Sequence, residues 1–367
     1  MRDIKRKRRK YRSRRKQVES RKRRRTLVVS LLLFVLIVLF SFSPALSEWY
    51  IRVIYPLVAT ILSFVSGLFP FSLYDLFLIA AVLWLFMLIL LAIIRKTGFV
   101  RLLFSLLRFV TVIVAWFYFS WGIAYFREDF HSRVKVEKVA YDNEQFKSFA
   151  TRFIDHANRS YINIHGIDKE TTRQDIESTY RRLRQPLLVA YPNGKRRVKP
   201  MLFQPLYSKT GVSGYFGPFF NEIHVNNYSL DFTYPFTLAH EMAHQFGIGP
   251  ESEANLYAFV VCAASNHEQV RYSAYASTLR YVLNDVYRFL PDEYESIYLS
   301  VRPEIMADLK RNREHWLAAR DESLSNAQDK VYDVYLKTNK ISSGQANYSE
   351  VVALLVSSWD TFSPFFR

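Results

Sequence analysis

Cysteine is almost missing from this chain, with one residue, Cys262, among 367. A lone thiol excludes an intramolecular disulfide framework. Its neighbours, Ala258-Phe-Val-Val ahead and Ala-Ala behind, are apolar, so a buried core thiol is expected and not a nucleophile or metal ligand. Histidine is scarce too, with 8 residues, so a His pair at metal-ligand spacing is something composition alone rarely produces. No segment recurs at a fixed period.

Acids are few where bases crowd. Residues 1–25 hold sixteen Lys or Arg against Asp3 and Glu19, whereas residues 124–367 are close to neutral. The basic excess therefore belongs to the tail. Such a tail can serve nucleic acid, but beside an apolar span it reads as a disordered cytoplasmic anchor, and nucleic acid is not expected as a partner.

Charge then vanishes over long stretches. Thr26–Leu46 is uncharged and long enough to cross ~30 Å of hydrocarbon as a helix. Phe77–Ile94 fits a second span. Leu102–Tyr125 fits a third, with Arg108 snorkelling and Trp116, Tyr118, Trp121 and Tyr125 forming an interfacial belt. Val53–Phe71 is uncharged but broken by Pro56, Gly67 and Pro70, and suits an interfacial helix, a re-entrant helix or a further span. The tail and the basic loop 95–101 should both face the cytoplasm. An even number of crossings must then separate them, so about three spans fill residues 26–125. Residues 126–367 should face the extracytoplasmic side of the inner membrane, with the lipid bilayer as a partner. A signal peptide cleaved near Ala45-Leu46-Ser47 is the rival, but its basic region would be unusually long.

Residues 126–367 suffice for one core. Asn143–Ile162 and Asp168–Leu183 have helical spacing. Pro186–Tyr191 and Val198–Phe203 look like strands around a Pro192-Asn193-Gly194 turn, and Glu222–Asn226 like a short strand. From residue 235 the pattern is helical. The expected class is α+β: transmembrane helices, then a small sheet leading into a mostly helical zincin-like domain.

Chemistry concentrates at His240-Glu241-Met242-Ala243-His244. Two histidines four apart on a helix share one face and can grip one ion, and the Glu beside the first can take a proton from water that the metal activates. Pro235 suits the first helical turn and Gly247 the stop. His240 and His244 leave a third ligand to find. Glu251 is the first candidate, with Asn255 one turn on to support its carboxylate, and Glu253 is the alternative. His224 is a more distant one. Zn2+ is the expected cofactor, given two His and a carboxylate. Glu241 is the expected general base for peptide hydrolysis. Tyr275, Tyr272 and Arg280 are candidate oxyanion donors. The strand Glu222–Asn226 is a candidate edge for pairing with a peptide or protein substrate.

The run Leu238-Ala-His-Glu-Met-Ala-His-Gln-Phe-Gly, followed by Glu251-Ser-Glu-Ala-Asn255, resembles the bacterial membrane-protein family catalogued as domain of unknown function 3810. So do Gly214-Tyr-Phe-Gly-Pro-Phe and the segment Arg271-Tyr-Ser-Ala-Tyr to Arg280-Tyr-Val-Leu-Asn. Members of that family are described only as zinc-dependent peptidases. Glu-x-x-Ala-Asn is also similar to the gluzincin pattern, which implies that Glu251 is the third ligand. The interval from His244 to Glu251 is shorter here than in gluzincins and nearer to metzincin spacing. A catalytically inactive scaffold on the same fold is the alternative, though it would have no need of Glu241. An intramembrane protease is disfavoured by Gln245, Glu251 and Glu253 beside the motif.

Overall fold

The computed structural model describes residues 2–190, 196–344, 346 and 350–367; the expected Pro192-Asn193-Gly194 turn lies outside them. Residues 2–42 contain neither Pro nor Gly and form one helix, α1 (Arg2–Phe42). This corrects the expectation of a disordered tail over residues 1–25. Lys and Arg are good helix formers, and the apolar half supplies a nucleus from which the helix propagates. Ser43 ends it by capping the next helix, α2 (Pro44–Trp49), which has Pro at its first position. α2 passes through a π-helical turn into α3 (Tyr55–Gly67), and α4 (Leu73–Ile94) and α5 (Phe99–Ser120) follow.

Four helical stretches are long and apolar enough to cross a membrane: Gln17–Phe42, Pro44–Gly67, Leu73–Ile94 and Phe99–Ser120. They are not equivalent. The first, third and fourth leave their apolar faces open, whereas Pro44–Gly67 is 44% buried. α1 and α5 run parallel. Glu19 pairs with Arg101 at 2.6 Å near one end, the Ser30 and Thr111 hydroxyls meet at 2.7 Å midway, and Tyr50 bonds the Phe119 carbonyl at the other end. The start of α4 and the end of α5 meet the same residue, Phe219, through Tyr74 and Phe77 on one and Phe117 on the other.

The rest of the chain contributes α6 (Phe130–Val134), α7 (Asn143–Ser160), α8 (Lys169–Arg182), β1 (Val198–Lys199), α9 (Gln204–Lys209), β2 (Gly214–Gly217) and β3 (Glu222–Val225). After these come α10 (Tyr234–Gln245), α11 (Glu251–Ala263), α12 (Glu268–Phe289), α13 (Tyr294–Leu299), α14 (Pro303–Ala319), α15 (Glu322–Thr338) and α16 (Val351–Phe362). α7 begins at an Asp142–Gln145 capping box and α8 at an Asp168 cap, within a residue or two of where sequence placed them. Phe146, Phe149, Phe153, Phe259 and Trp359 join α7, α11 and α16 in one core, in which Cys262 is fully buried.

The sheet departs from expectation in three ways. Pro186–Ala190 forms no strand: the chain turns through Leu188 at φ +47°, Leu187 is buried, and the Tyr257 hydroxyl caps its carbonyl at 2.7 Å. A short apolar run fills a core equally well from a turn. Val198–Phe203 shrinks to two residues, because Pro200 has no N–H for the ladder and the Leu202 amide donates to Asp75 at 2.9 Å. The third correction is strand order, β1-β3-β2. β3 is fully buried in the centre, parallel to β1 and antiparallel to β2, so Glu222–Val225 is no edge; β2 is.

The sheet also staples the α3–α4 hairpin. The Lys199 ammonium donates to the Ser66 carbonyl at 2.6 Å and to the Phe69 and Phe71 carbonyls, while Glu222 accepts from the Leu73 and Tyr74 amides at 3.2 and 2.8 Å. A buried cation thus ends one helix and a buried anion begins the next, each matching the helix dipole.

Arg133 and Glu253 form a second buried pair at 2.5 Å, and Glu253 also accepts from the Phe130 amide at 3.1 Å. Arg133→Met should strand the Glu253 charge and destabilise the protein by about 3–5 kcal/mol, with metal content of the folded fraction unchanged. Thermal unfolding of the full-length protein in detergent checks this, and an unchanged midpoint would refute it.

Candidate metal centre

α10 exists because Pro235 opens it, Leu238, Ala239, Met242 and Ala243 give it an apolar body, and Gly247 closes it. Gly247 adopts φ +85°, and a Cβ there would lie 2.8 Å from Ile51 Cγ2. Only glycine meets both demands. α10 packs mainly against α11, which starts at Glu251 after Pro250. This brings the two segments of the sequence motif face to face.

The result is a compact triangle. His240 Nε2 lies 3.0 Å from Glu251 Oε2, His244 Nε2 lies 3.4 Å from the same oxygen, and the two Nε2 atoms are 3.1 Å apart. Among the described residues this is the group of His, Cys, Asp or Glu able to hold an ion. All three are nearly buried: His240 is 8% exposed, His244 6% and Glu251 2%. Their outer atoms are fixed. His240 Nδ1 lies 2.9 Å from Asn255 Oδ1, and His244 Nδ1 lies 2.8 Å from the Ile248 carbonyl. Both partners can only accept, so each Nδ1 carries its hydrogen and each Nε2 turns a lone pair inward. Three acceptors converging at this range need positive charge between them, which a proton on His244 or a bound ion can supply. Tetrahedral zinc, with ligand bonds of about 2.0–2.1 Å, requires edges of roughly 3.3–3.4 Å, close to those seen.

Electrostatics agrees. Burial opposes the charge on Glu251, but the two imidazoles overcome it and hold that carboxyl well below its usual range. Burial likewise opposes a proton on His244, yet the adjacent Glu251 carboxylate raises it to about 9. Without an ion, His244 therefore keeps its proton at neutral pH, and a metal must displace it. Apparent zinc affinity should climb about tenfold per pH unit from 7 to 9, then level off. Chelator competition across that range checks the slope, and a flat profile would mean that His244 is not the proton carrier.

Glu241 lies beside the triangle. Burial raises its carboxyl to about 7, moderated by both histidines. A Cβ on Gly214 would lie 2.8 Å from Glu241 Oε1, so β2 passes directly over this carboxyl. The edge strand at the site is thus β2.

The other candidates separate cleanly. Asn255 supports His240, not the Glu251 carboxylate; Asn255→Ala should weaken metal binding about 10–100-fold, measured by the same competition. Glu253 is engaged by Arg133 and stands outside the cluster. His224 bonds Ser72 Oγ at 2.9 Å and stacks on Tyr215, also outside. Tyr275 packs among Phe153, Phe259 and His156, its hydroxyl without a partner. Tyr272 donates to Asp308 at 2.5 Å, and Arg280 lies over Tyr281. None of the three expected oxyanion donors reaches the triangle.

Sequence reasoning missed Tyr332 on α15, whose hydroxyl donates to Glu251 Oε1 at 2.5 Å; an isolated Tyr in an amphipathic helix carries no signal. It also missed the anchoring of α10. Trp121 Nε1 donates to the His244 carbonyl at 2.7 Å, Tyr55 to Gln245 at 2.6 Å, and Arg127 to Gly247 at 2.7 Å. Arg127 is clamped by Glu48 at 2.7 and 2.8 Å. α5 stops at Ser120, so Trp121 and Tyr125 are buried in this junction and do not line a headgroup belt.

The molecule is thus a mostly helical protein with four apolar N-terminal helices, compatible with a membrane protein, and a buried His-His-Glu cluster. The chain belongs to the family described as protein of unknown function (DUF3810), which matches residues 50–356. Searches of curated proteins and of solved structures find no match.

Proposed function

We propose that this protein is a membrane-anchored, zinc-dependent peptidase on a zincin-like fold. The observation that carries the reading is the inward triangle of His240 Nε2, His244 Nε2 and Glu251 Oε2, with Glu241 beside it. A zinc ion held there supplies a Lewis acid that acidifies water and polarises a carbonyl. Asn255 and the Ile248 carbonyl hold the imidazoles in the ligating tautomer. Glu241, pushed up to about 7, is poised to accept a proton at its carboxylate and pass it to the leaving amine. β2 offers the edge along which an extended peptide can pair above Glu241.

The helix arrangement supports the following topology. The stretch Pro44–Gly67 touches the domain at Glu48, at Tyr55 and at the Ser66 carbonyl, so it lies along the domain and does not cross. α1, α4 and α5 cross, with the domain at one end and the basic tail and the 95–101 loop at the other. The positive-inside rule then puts the domain on the extracytoplasmic side of the inner membrane.

The test is metal content of the full-length protein purified in detergent, alongside peptide-library digestion. The expected result is about one zinc per chain, lost in His240→Ala, with peptide cleavage by the wild type. A folded wild type that takes up no zinc would overturn the reading. Bound zinc without cleavage of any peptide would leave a metal-binding scaffold.

A further inference from the structure

A cavity of about 290 Å³ lies between α1 and α5, far from the His-His-Glu cluster. Its wall carries Lys22, Arg23, Arg101 and Arg108, against a single acid, Glu19. Glu19 is already engaged by Arg101 at 2.6 Å. Arg23 sits 5.5 Å from the centre of the Phe104 ring, which forms an apolar side of the same cavity. Arg108 stands nine residues into α5, roughly 13 Å along the helix from its start. Its one hydrogen bond to a side chain here is to the neutral Ser105 hydroxyl, at 3.2 Å.

A cation that deep in an apolar span is costly unless it snorkels to the headgroups or an anion meets it. Four cations and one acid converge on a cavity, so the deficit is of negative charge. Exposed apolar residues follow beyond the cavity along both helices, Leu27 and Leu31 on α1 and Val112 on α5. A ligand that matches all of this has an anionic head and hydrocarbon tails. Basic pockets between membrane helices recognise phosphate headgroups in this way.

We propose that this cavity is a binding site for the phosphate group of an anionic membrane lipid, held by Arg101 and Arg108 with Lys22 and Arg23 around it. Arginine suits the role because its guanidinium meets phosphate oxygens in pairs. The inference needs α1 and α5 to lie in the bilayer, but it is independent of any peptidase activity.

The test uses the full-length protein, delipidated in neutral detergent, with thermal unfolding and native mass spectrometry as readouts. Phosphatidylglycerol should raise the midpoint by roughly 5 °C and remain bound in the gas phase, and phosphatidylcholine should do neither. Arg108→Gln combined with Arg101→Gln should abolish both effects. Arg95→Gln with Lys96→Gln, at the same end of the bundle but outside the cavity, should preserve them. Equal stabilisation by phosphatidylcholine, or an effect that survives in the cavity variant, would overturn the proposal. Stabilisation by inorganic phosphate as large as by the lipid would assign the site to a soluble anion and overturn it equally. Should the double variant fail to fold, Arg108→Lys decides: it keeps the charge but not the paired donors, and undiminished lipid retention would count against arginine recognition.

Discussion

On the peptidase reading proposed above, replacing Glu241 by Gln should lower peptide hydrolysis by about 10²–10⁴-fold while leaving zinc content unchanged. The side chains are nearly isosteric, and Glu241 is outside the ligand triangle. What Gln removes is the ability to accept a proton. Burial raises the carboxyl to about 7 in the metal-free site and a bound dication would pull it lower, so the wild-type activity should rise with pH as the base ionises, at or below neutrality. Gln has nothing to ionise, and its residual activity should lack that limb. Metal analysis, initial rates and the pH profile of both proteins check the claim. A variant that keeps wild-type rates would remove Glu241 from the chemistry. A variant that loses zinc as well would place it among the ligands.

Removing residues 1–125 should abolish a stable fold, not merely release a soluble domain. Tyr55 and Trp121 donate to the carbonyls of Gln245 and His244, at the end of the helix that bears both histidines. Loss of Tyr55 leaves the buried Gln245 carbonyl unpaired at about 1–3 kcal/mol, while the His244 carbonyl keeps the Gly247 amide and loses one of its two donors. Arg127 would stay buried without Glu48, at about 3–5 kcal/mol. Ile51 and Tyr55, both fully buried, would vanish from the packing around Gly247. Together these losses approach the whole stability of an ordinary domain, about 5–15 kcal/mol. Circular dichroism and limited proteolysis of residues 126–367 provide the check. A cooperative melt with zinc bound would show that the junction is dispensable.

The candidate site was the most legible part of this chain. His240, Glu241 and His244 share a helix, and local spacing fixes their relation. Glu251 followed from proximity, since a short turn and a new helix bring it back onto α10. What stayed hidden depends on distant pairing. Nothing near Trp121 or Tyr55 marks them as partners of His244 and Gln245, because an aromatic with a polar tip suits a membrane interface equally well. Tyr332, eighty-one residues beyond Glu251, was invisible for the same reason. The sheet misled because Pro186–Ala190 and Val198–Phe203 are apolar enough for strands. Pro200 and the left-handed Leu188 decided otherwise. β3 was placed correctly along the chain, but its candidate role as an edge fails, since a strand's place in the sheet is not revealed by its own pattern.

The carbonyls closing α10 receive hydrogen bonds from residues made before it, Tyr55 and Trp121, while Glu251 receives one from Tyr332, made eighty-one residues after it. Synthesis therefore imposes a sequence on maturation. The four apolar N-terminal helices emerge first, and they form a template on which α10 docks as it follows. The last brace arrives only after α15 has been made. A chain stalled between those moments holds both histidines and an unfinished cluster, so the site is completed only after the helices it rests on are in place.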